Sequence, residues 1–241
     1  MTEARHSAGE EPQASPEGSL QEGIRLYGMR LWELALKEFL HIRAEHFNPK
    51  EQTELAYYLG LCYTKLERYD DALLYLEQVV TTGNDVLRLY QCRMTLAYIY
   101  VITGRSRMAE FELKRLQQNG FESALLYNTM AYAAFRQKQF KKAIELYEKS
   151  LDIDENNTTA MNGIGYILAD TKMDILRGLR FCRRAVDRKP ENPAYLDSMG
   201  WAYYRNGELN EARTWLRRAM DIAPDAAEIR EHFKAVSGGA A

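Results

Sequence analysis

One feature restricts the fold of this chain more than any other: small residues return at a nearly constant interval. A glycine or alanine occurs once every 34 to 37 residues, and a larger residue usually follows three positions later. The first series is Gly23, Gly60, Ala97, Ala131, Gly165 and Gly200. A second series lies about twelve residues after the first and keeps step with it: Ala35, Ala72, Ala109, Ala143, Gly178 and Ala212. Two series in step predict a tandem unit of helix, turn and helix, with small residues where the two helices approach closely.

The rest of the sequence is typical of an all-α chain. The six prolines lie in the N-terminal tail or where long apolar-periodic segments end: Pro12, Pro16, Pro49, Pro190, Pro193 and Pro224. Proline inside a helix removes a backbone donor and clashes with the preceding turn, so this placement leaves the helical segments intact. No Asn-Gly or Asp-Gly pair is flanked by the alternating pattern of a β-hairpin.

The pattern resembles that of the tetratricopeptide repeat family, whose unit is ~34 residues long. The best match runs from Leu196 through Gly200, Trp201 and Tyr203 to Ala212 and Pro224, and the fourth unit matches through Tyr127, Ala131 and Tyr147. The resemblance, to a bacterial-type member, implies a right-handed α-solenoid of six helix-turn-helix units with a C-terminal capping helix. The expected domains are an acidic disordered tail at 1–17, repeats at 18–50, 51–86, 87–121, 122–157, 158–192 and 193–224, a capping helix at 225–236 and a flexible tail at 237–241.

Glycine is available for the turn between paired helices only at Gly104 and Gly207. We expect Arg30, Glu67 and Lys138 to form the equivalent turn elsewhere. The fifth unit has one extra residue in this turn, and Asp174 is the expected N-cap of its second helix.

Charge and composition disfavour two classes of protein: nucleic-acid-binding proteins and integral membrane proteins. The net charge of −2 disfavours a nucleic-acid partner for the whole molecule. The longest strongly apolar stretch, 96–102, is too short to span a bilayer, so no integral membrane segment is predicted. No signal peptide is visible and the three cysteines are widely spaced, which favours a cytoplasmic protein. A periplasmic location follows instead if a signal peptide has been removed.

Nothing in the sequence indicates catalysis. His41 and His46 fall on different helix faces, and the chain has neither a His-Glu-x-x-His pattern nor a Gly-rich phosphate loop. We therefore predict no catalytic residue, no metal site and no cofactor.

Aromatic and polar residues that recur on the first helix of each unit are the positive functional signal. In the related family these helices line the concave surface, which implies a groove for a peptide of a partner protein. The alternative is that the rings only cover neighbouring helices. The predicted groove residues are Tyr57, Tyr58, Tyr98, Asn128, Tyr132, Phe135, Arg136, Asn162, Tyr166, Asp197, Trp201, Tyr204 and Arg205. We expect Tyr132, Tyr166 and Trp201 to form one wall, with Asn162 as its polar anchor.

Basic residues concentrate on the second helices of units five and six. Acidic residues interrupt them, so the pattern also fits an ordinary solvated face. This possible outer patch consists of Arg177, Arg180, Arg183, Arg184, Arg217 and Arg218.

The leading functional interpretation is a non-enzymatic scaffold or adaptor that binds a partner peptide and serves complex assembly. Two alternatives stay open. One is a cell-envelope or motility-apparatus assembly factor, resembling lipoproteins that escort secretins or outer-membrane components. The other is a peptide or small-ligand sensor. The sequence does not define the partner or the oligomeric state.

Overall fold

The computed structural model describes residues 18–238. The tail expected at 1–17 lies outside this range, as do residues 239–241 of the tail expected at 237–241. Within it the chain forms α-helices joined by short turns, and no β-strand occurs there. The helices are α1 (Leu20–Gly28), α2 (Trp32–Leu40), α3 (Pro49–Lys65), α4 (Tyr69–Thr82), α5 (Val86–Ile102), α6 (Ser106–Gln118), α7 (Ala124–Arg136), α8 (Phe140–Ile153), α9 (Thr158–Asp170), α10 (Ile175–Arg188), α11 (Pro193–Asn206), α12 (Leu209–Ile222) and α13 (Ala227–Ser237).

The chain divides into two compact units, residues 1–92 and 93–241. In the first unit, α1 packs against α2, and α3 packs against α4. In the second unit, α7, α9 and α11 are first helices that pair with α8, α10 and α12. Helix α13 packs against α12 and α11, beyond the last complete pair.

Small residues hold the paired helices close together, as the sequence predicts. A Cβ atom added to Gly200 would lie 2.6 Å from Cγ of Leu216 on the partner helix. A Cβ atom on Gly165 would lie 2.6 Å from Sγ of Cys182. Real Cβ atoms do not approach other atoms so closely, so these sites exclude any larger residue unless the helices separate.

The turn between paired helices has the same form whether or not it contains glycine. Gly104 and Gly207 have φ values of 77° and 88°. The non-glycine residues at this position also have positive φ values, between 56° and 63°: Arg30, Glu67, Lys138 and Lys172. After five of these turns a backbone N–H donates to a carbonyl five residues earlier, as from Glu208 to Tyr203 at 3.0 Å. The turn at Lys172 is one residue longer, and there the N–H of Asp174 donates to the carbonyl of Leu168 at 3.4 Å. This bond pairs a carbonyl at the C-terminal end of the first helix, and the stabilisation offsets the conformational cost of a non-glycine residue in the left-handed region.

Asp174 caps the second helix of the fifth pair, which confirms that expectation. Its side chain accepts a hydrogen bond from the backbone N–H of Arg177 at 2.9 Å. The first helices α3 and α11 begin in a related way, each with an asparagine cap followed by proline.

The close contact at Gly200 can be tested by overpacking. We expect Gly200→Leu to lower the free energy of unfolding by ~1–3 kcal/mol, because the new side chain must displace Leu216 or α12. Thr214→Leu adds a side chain of the same size at an exposed position of α12 and should change stability little. Urea unfolding of both variants measures the difference, and equal midpoints would contradict the close contact.

The cysteines provide a second test of packing. All three are buried, and burial raises the pKa of the Cys62 and Cys182 thiols to about 12. Both thiols should stay protonated and unreactive in the folded protein at mildly alkaline pH. An unfolded cysteine ionises near ~8.5, so their contribution to stability is present below that pH and falls as pH rises toward 12. Labelling with a thiol reagent should require unfolding; rapid labelling of native protein would show that these sites open.

Candidate peptide-binding groove

A cavity of about 590 Å³ opens beside the first helices of the second unit. Helices α7, α9 and α11 provide most of its lining, and Ala226 and Ile229 close it from the start of α13. Its walls are largely apolar, and its size falls within the range of ordinary ligand sites. Six predicted groove residues line it: Tyr132, Phe135, Arg136, Asn162, Tyr166 and Asp197.

Aromatic rings form a continuous series along this surface. The ring of Phe135 lies 6.4 Å from that of Tyr132 and 5.9 Å from that of Tyr166, centroid to centroid. The second contact is edge-to-face, a favourable geometry for aromatic pairs. The three side chains are half-buried, so each still offers surface to a ligand.

The polar group that most distinguishes the cavity is the amide of Asn162. Its Oδ1 atom is buried and has no hydrogen-bond partner among the described residues. A buried acceptor without a partner is costly and therefore uncommon in folded proteins. The next residue, Gly163, leaves room for the ring of Tyr147, which forms part of the cavity lining.

Asp197 lies in the cavity lining, but His232 of α13 engages its carboxylate. Nδ1 of His232 lies 2.9 and 3.0 Å from the two carboxylate oxygens, and both side chains are buried. The repeat pattern alone did not predict this pair. His232 follows Asp197 by 35 residues, so extending the repeat interval past Pro224 would have placed it beside Asp197.

The phenol of Tyr166 is kept neutral. Burial raises its pKa, and the nearby carboxylates of Asp170, Glu228 and Asp197 raise it further. Tyr166 can therefore donate or accept a hydrogen bond, and it does not bring charge into the cavity.

The predicted wall of Tyr132, Tyr166 and Trp201 needs correction. The ring of His232 lies between those of Tyr166 and Trp201, at 6.1 and 4.1 Å. The indole of Trp201 donates to a carboxylate oxygen of Asp170 at 2.9 Å, and Trp201 is not part of the cavity lining. Helix α13 therefore places the ring of His232 within the wall, which the repeat pattern alone did not predict.

The other predicted groove residues of the second unit lie outside the cavity lining. Tyr204 packs on Trp201 at 5.0 Å, and the guanidinium of Arg205 lies 5.8 Å from the same indole. Asn128 is buried and donates to the side chain of Asn157, the N-cap of α9, at 3.0 Å. Tyr98 is 46% exposed.

Tyr57 and Tyr58 belong to the first unit. Their rings lie 5.1 Å apart, and Tyr58 also contacts Tyr27 at 5.6 Å. Tyr57 is buried and donates to Gln91 at 2.7 Å. This hydroxyl serves packing within the first unit, so Tyr57 is not an open groove residue there.

Among the predicted basic residues, Arg177 differs from the rest. Its guanidinium forms an ion pair with Glu148 on α8 at 2.7 Å. Arg180, Arg183, Arg184, Arg217 and Arg218 are exposed on α10 and α12.

Residues 18–238 contain neither a cluster of metal ligands nor a membrane-spanning helix. No group of three or more histidine, cysteine, aspartate or glutamate side chains there has the geometry to hold a metal ion. No helix in that range is both long and apolar enough to cross a membrane.

Antiparallel helix pairs at a constant interval, with small residues at each contact, define an all-α helical-repeat solenoid. Tetratricopeptide repeat profiles match residues 20–85, 124–157 and 193–226, which together exceed half of the chain. The chain belongs to the tetratricopeptide repeat family. Members of this family generally mediate protein–protein interactions, and the fold is typically a non-enzymatic scaffold.

Similar proteins support the same assignment. A TPR repeat-containing protein of Pseudomonas aeruginosa is 38% identical over 80 residues, which are 33% of this chain and 13% of the relative. This chain therefore spans a small part of that relative's length.

Two solved structures show the same fold. A tetratricopeptide repeat protein from Parabacteroides merdae has a TM-score of 0.72 at 11% identity, with 90% of this chain and 82% of that chain covered. YrrB, a TPR protein with an unusual peptide-binding site, has a TM-score of 0.51 at 18% identity, with 77% and 93% covered.

The Asp197–His232 pair can be tested directly. We expect His232→Ala to lower the free energy of unfolding by ~1–3 kcal/mol, because it leaves a buried carboxylate without its partner. Hydrogen exchange in α13 should accelerate more than in α12. Lys234→Ala changes an exposed residue of the same helix and should have little effect. If both variants behave alike, His232 does not anchor α13.

Proposed function

We propose that this protein is a non-enzymatic adaptor that binds a peptide segment of a partner protein in the cavity bounded by α7, α9, α11 and α13. The observation that carries the proposal is the buried, unpartnered amide oxygen of Asn162 within an aromatic-walled cavity. Because this oxygen is buried, a peptide N–H reaches it only when the Asn162 side chain turns toward the cavity, and the oxygen would then gain the hydrogen bond that it lacks.

The lining suits a short stretch of polypeptide. The rings of Tyr132, Phe135 and Tyr166 offer large contact area at low entropic cost. Polar groups stand at the edges: Arg136 and Glu228 are both exposed and both line the cavity. A peptide can place an apolar side chain among the rings while its backbone meets the amide and the charged edges.

The solved relative YrrB supports a peptide as the ligand, since its structure is described as containing an unusual peptide-binding site. Its likeness to this chain is one of fold. The ligand class for this chain therefore rests on the lining described above, and the particular partner is to be found by experiment.

Selection from a phage-displayed library of random peptides, followed by titration of an enriched peptide, tests the proposal. Tyr166→Ala should weaken binding roughly thirtyfold, the effect of removing an anchor worth ~2 kcal/mol. Asn162→Leu keeps a side chain of similar size without the amide and should also bind more weakly. Arg183→Glu/Arg184→Glu serves as the control on the second helices and should retain affinity.

All variants are first compared by circular dichroism and thermal melting. The proposal is wrong if no peptide is enriched above background. It is also wrong if every enriched peptide binds Tyr166→Ala and Asn162→Leu as tightly as the original chain.

A further inference from the structure

A second surface of the same unit carries an unusual set of cations. Five exposed arginines on α10 and α12, here named the arginine face, lie on the second helices, whereas the cavity lies on the first. None of the five forms an ion pair within residues 18–238. The arginine face consists of Arg180, Arg183, Arg184, Arg217 and Arg218.

Aromatic rings hold three of these five side chains in place. The guanidinium carbons of Arg183 and Arg218 lie 5.1 and 4.7 Å from the ring centroid of Trp215. Arg184 lies 5.4 Å from the ring of Phe181. Arg183 also donates to the hydroxyl of Tyr203 at 2.9 Å.

This stacking makes the arginines better suited to bind an acceptor group. A guanidinium held against a ring loses less side-chain freedom when it binds, and it keeps N–H donors in its plane for an acceptor. Carboxylate and phosphate groups are the acceptors that match this planar fork. The neighbouring second helix α8 shows the contrast, because it carries as many acidic residues as lysines: three of each between 140 and 153.

Two observations favour carboxylates on a protein over a nucleic acid. The rings of Phe181 and Trp215 already carry guanidinium groups, so they are not open platforms for bases. Exposed Asp187, Glu211 and Asp221 interrupt the face and would repel a continuous phosphate backbone. The carboxylates of a flexible polypeptide stand on mobile side chains that can turn away from these three acids, whereas the phosphates of a duplex are held at fixed positions.

Apolar surface next to the arginines also favours a protein partner. Leu176 on α10, one helical turn before Arg180, is 61% exposed. Side chains of a folded partner can cover such residues, and charged groups at the edge of such a contact chiefly set its partner choice and association rate.

We propose that the arginine face is a second docking surface, and that it binds an acidic segment of a partner protein. The charge of the face and the stacked geometry match that occupant, and an apolar side chain of the same segment can cover the exposed Leu176. The two surfaces use different helices of each pair, so one partner on each is sterically compatible with the other.

The test is a fluorescence-anisotropy titration of the full chain with fluorescein-labelled polyglutamate at physiological ionic strength. Arg183→Glu/Arg184→Glu should weaken binding about tenfold or more, because two attractions become repulsions. Lys141→Glu/Lys142→Glu makes the same charge change on α8 and should bind within about twofold of the original.

A third variant distinguishes the effect of aromatic stacking on binding from the effect of charge. Trp215→Leu keeps every charge but removes the ring under Arg183 and Arg218, and binding should fall about threefold. Phe181→Leu tests the same point at Arg184 if the tryptophan variant does not fold. Binding equal to the original in the folded stacking variants would overturn the proposal, as would an equal loss in the α8 variant.

Two other probes identify the class of ligand. A DNA duplex or phosphatidylserine vesicles that bind more tightly than polyglutamate, and lose binding in Arg183→Glu/Arg184→Glu, would replace the protein partner with a nucleic acid or a membrane. Tyr166→Ala should bind polyglutamate normally. Failure here therefore leaves the cavity proposal untouched, and failure of the cavity proposal leaves this one untouched.

Discussion

The close approach of the two helices in each pair is the constraint on which the rest of the structure depends. At Gly200 and Gly165 the partner helix is so near that a single Cβ atom would overlap a neighbouring side chain. This proximity fixes the rotation of each first helix about its own axis. Side chains one repeat apart then come within hydrogen-bond distance, as from Tyr57 to Gln91 and from Asp197 to His232.

The sequence predicted the repeat, the close contacts and the turns because these depend on residue size and backbone geometry at fixed positions. Asp174 was predicted as a cap for the same reason, since the capping bond is local. The sequence also placed Tyr132, Phe135 and Tyr166 on one surface, because the repeat interval determines which way a helical residue faces.

Other features of the candidate site could not be predicted from the repeat interval. Asn128 and Asn162 occupy equivalent positions, yet only Asn128 donates to the cap of the following helix. That difference depends on side-chain rotamers and on the neighbouring residue. His232 was missed because α13 falls outside the recognised repeats, and its ring separates Trp201 from the wall to which the sequence assigned it.

Because α13 lines part of the cavity, some residues that would contact a ligand are not the residues that hold the helix pairs together. Residues within the repeats must satisfy the spacing of small and large side chains, which leaves them little freedom to change. Glu228 and Ile229 line one side of the cavity from α13, which lies beyond the matched repeat at 193–226 and does not carry that spacing. Substitutions in this segment can therefore alter ligand preference while the helix pairs stay intact, so related chains with the same array can diverge in what they bind.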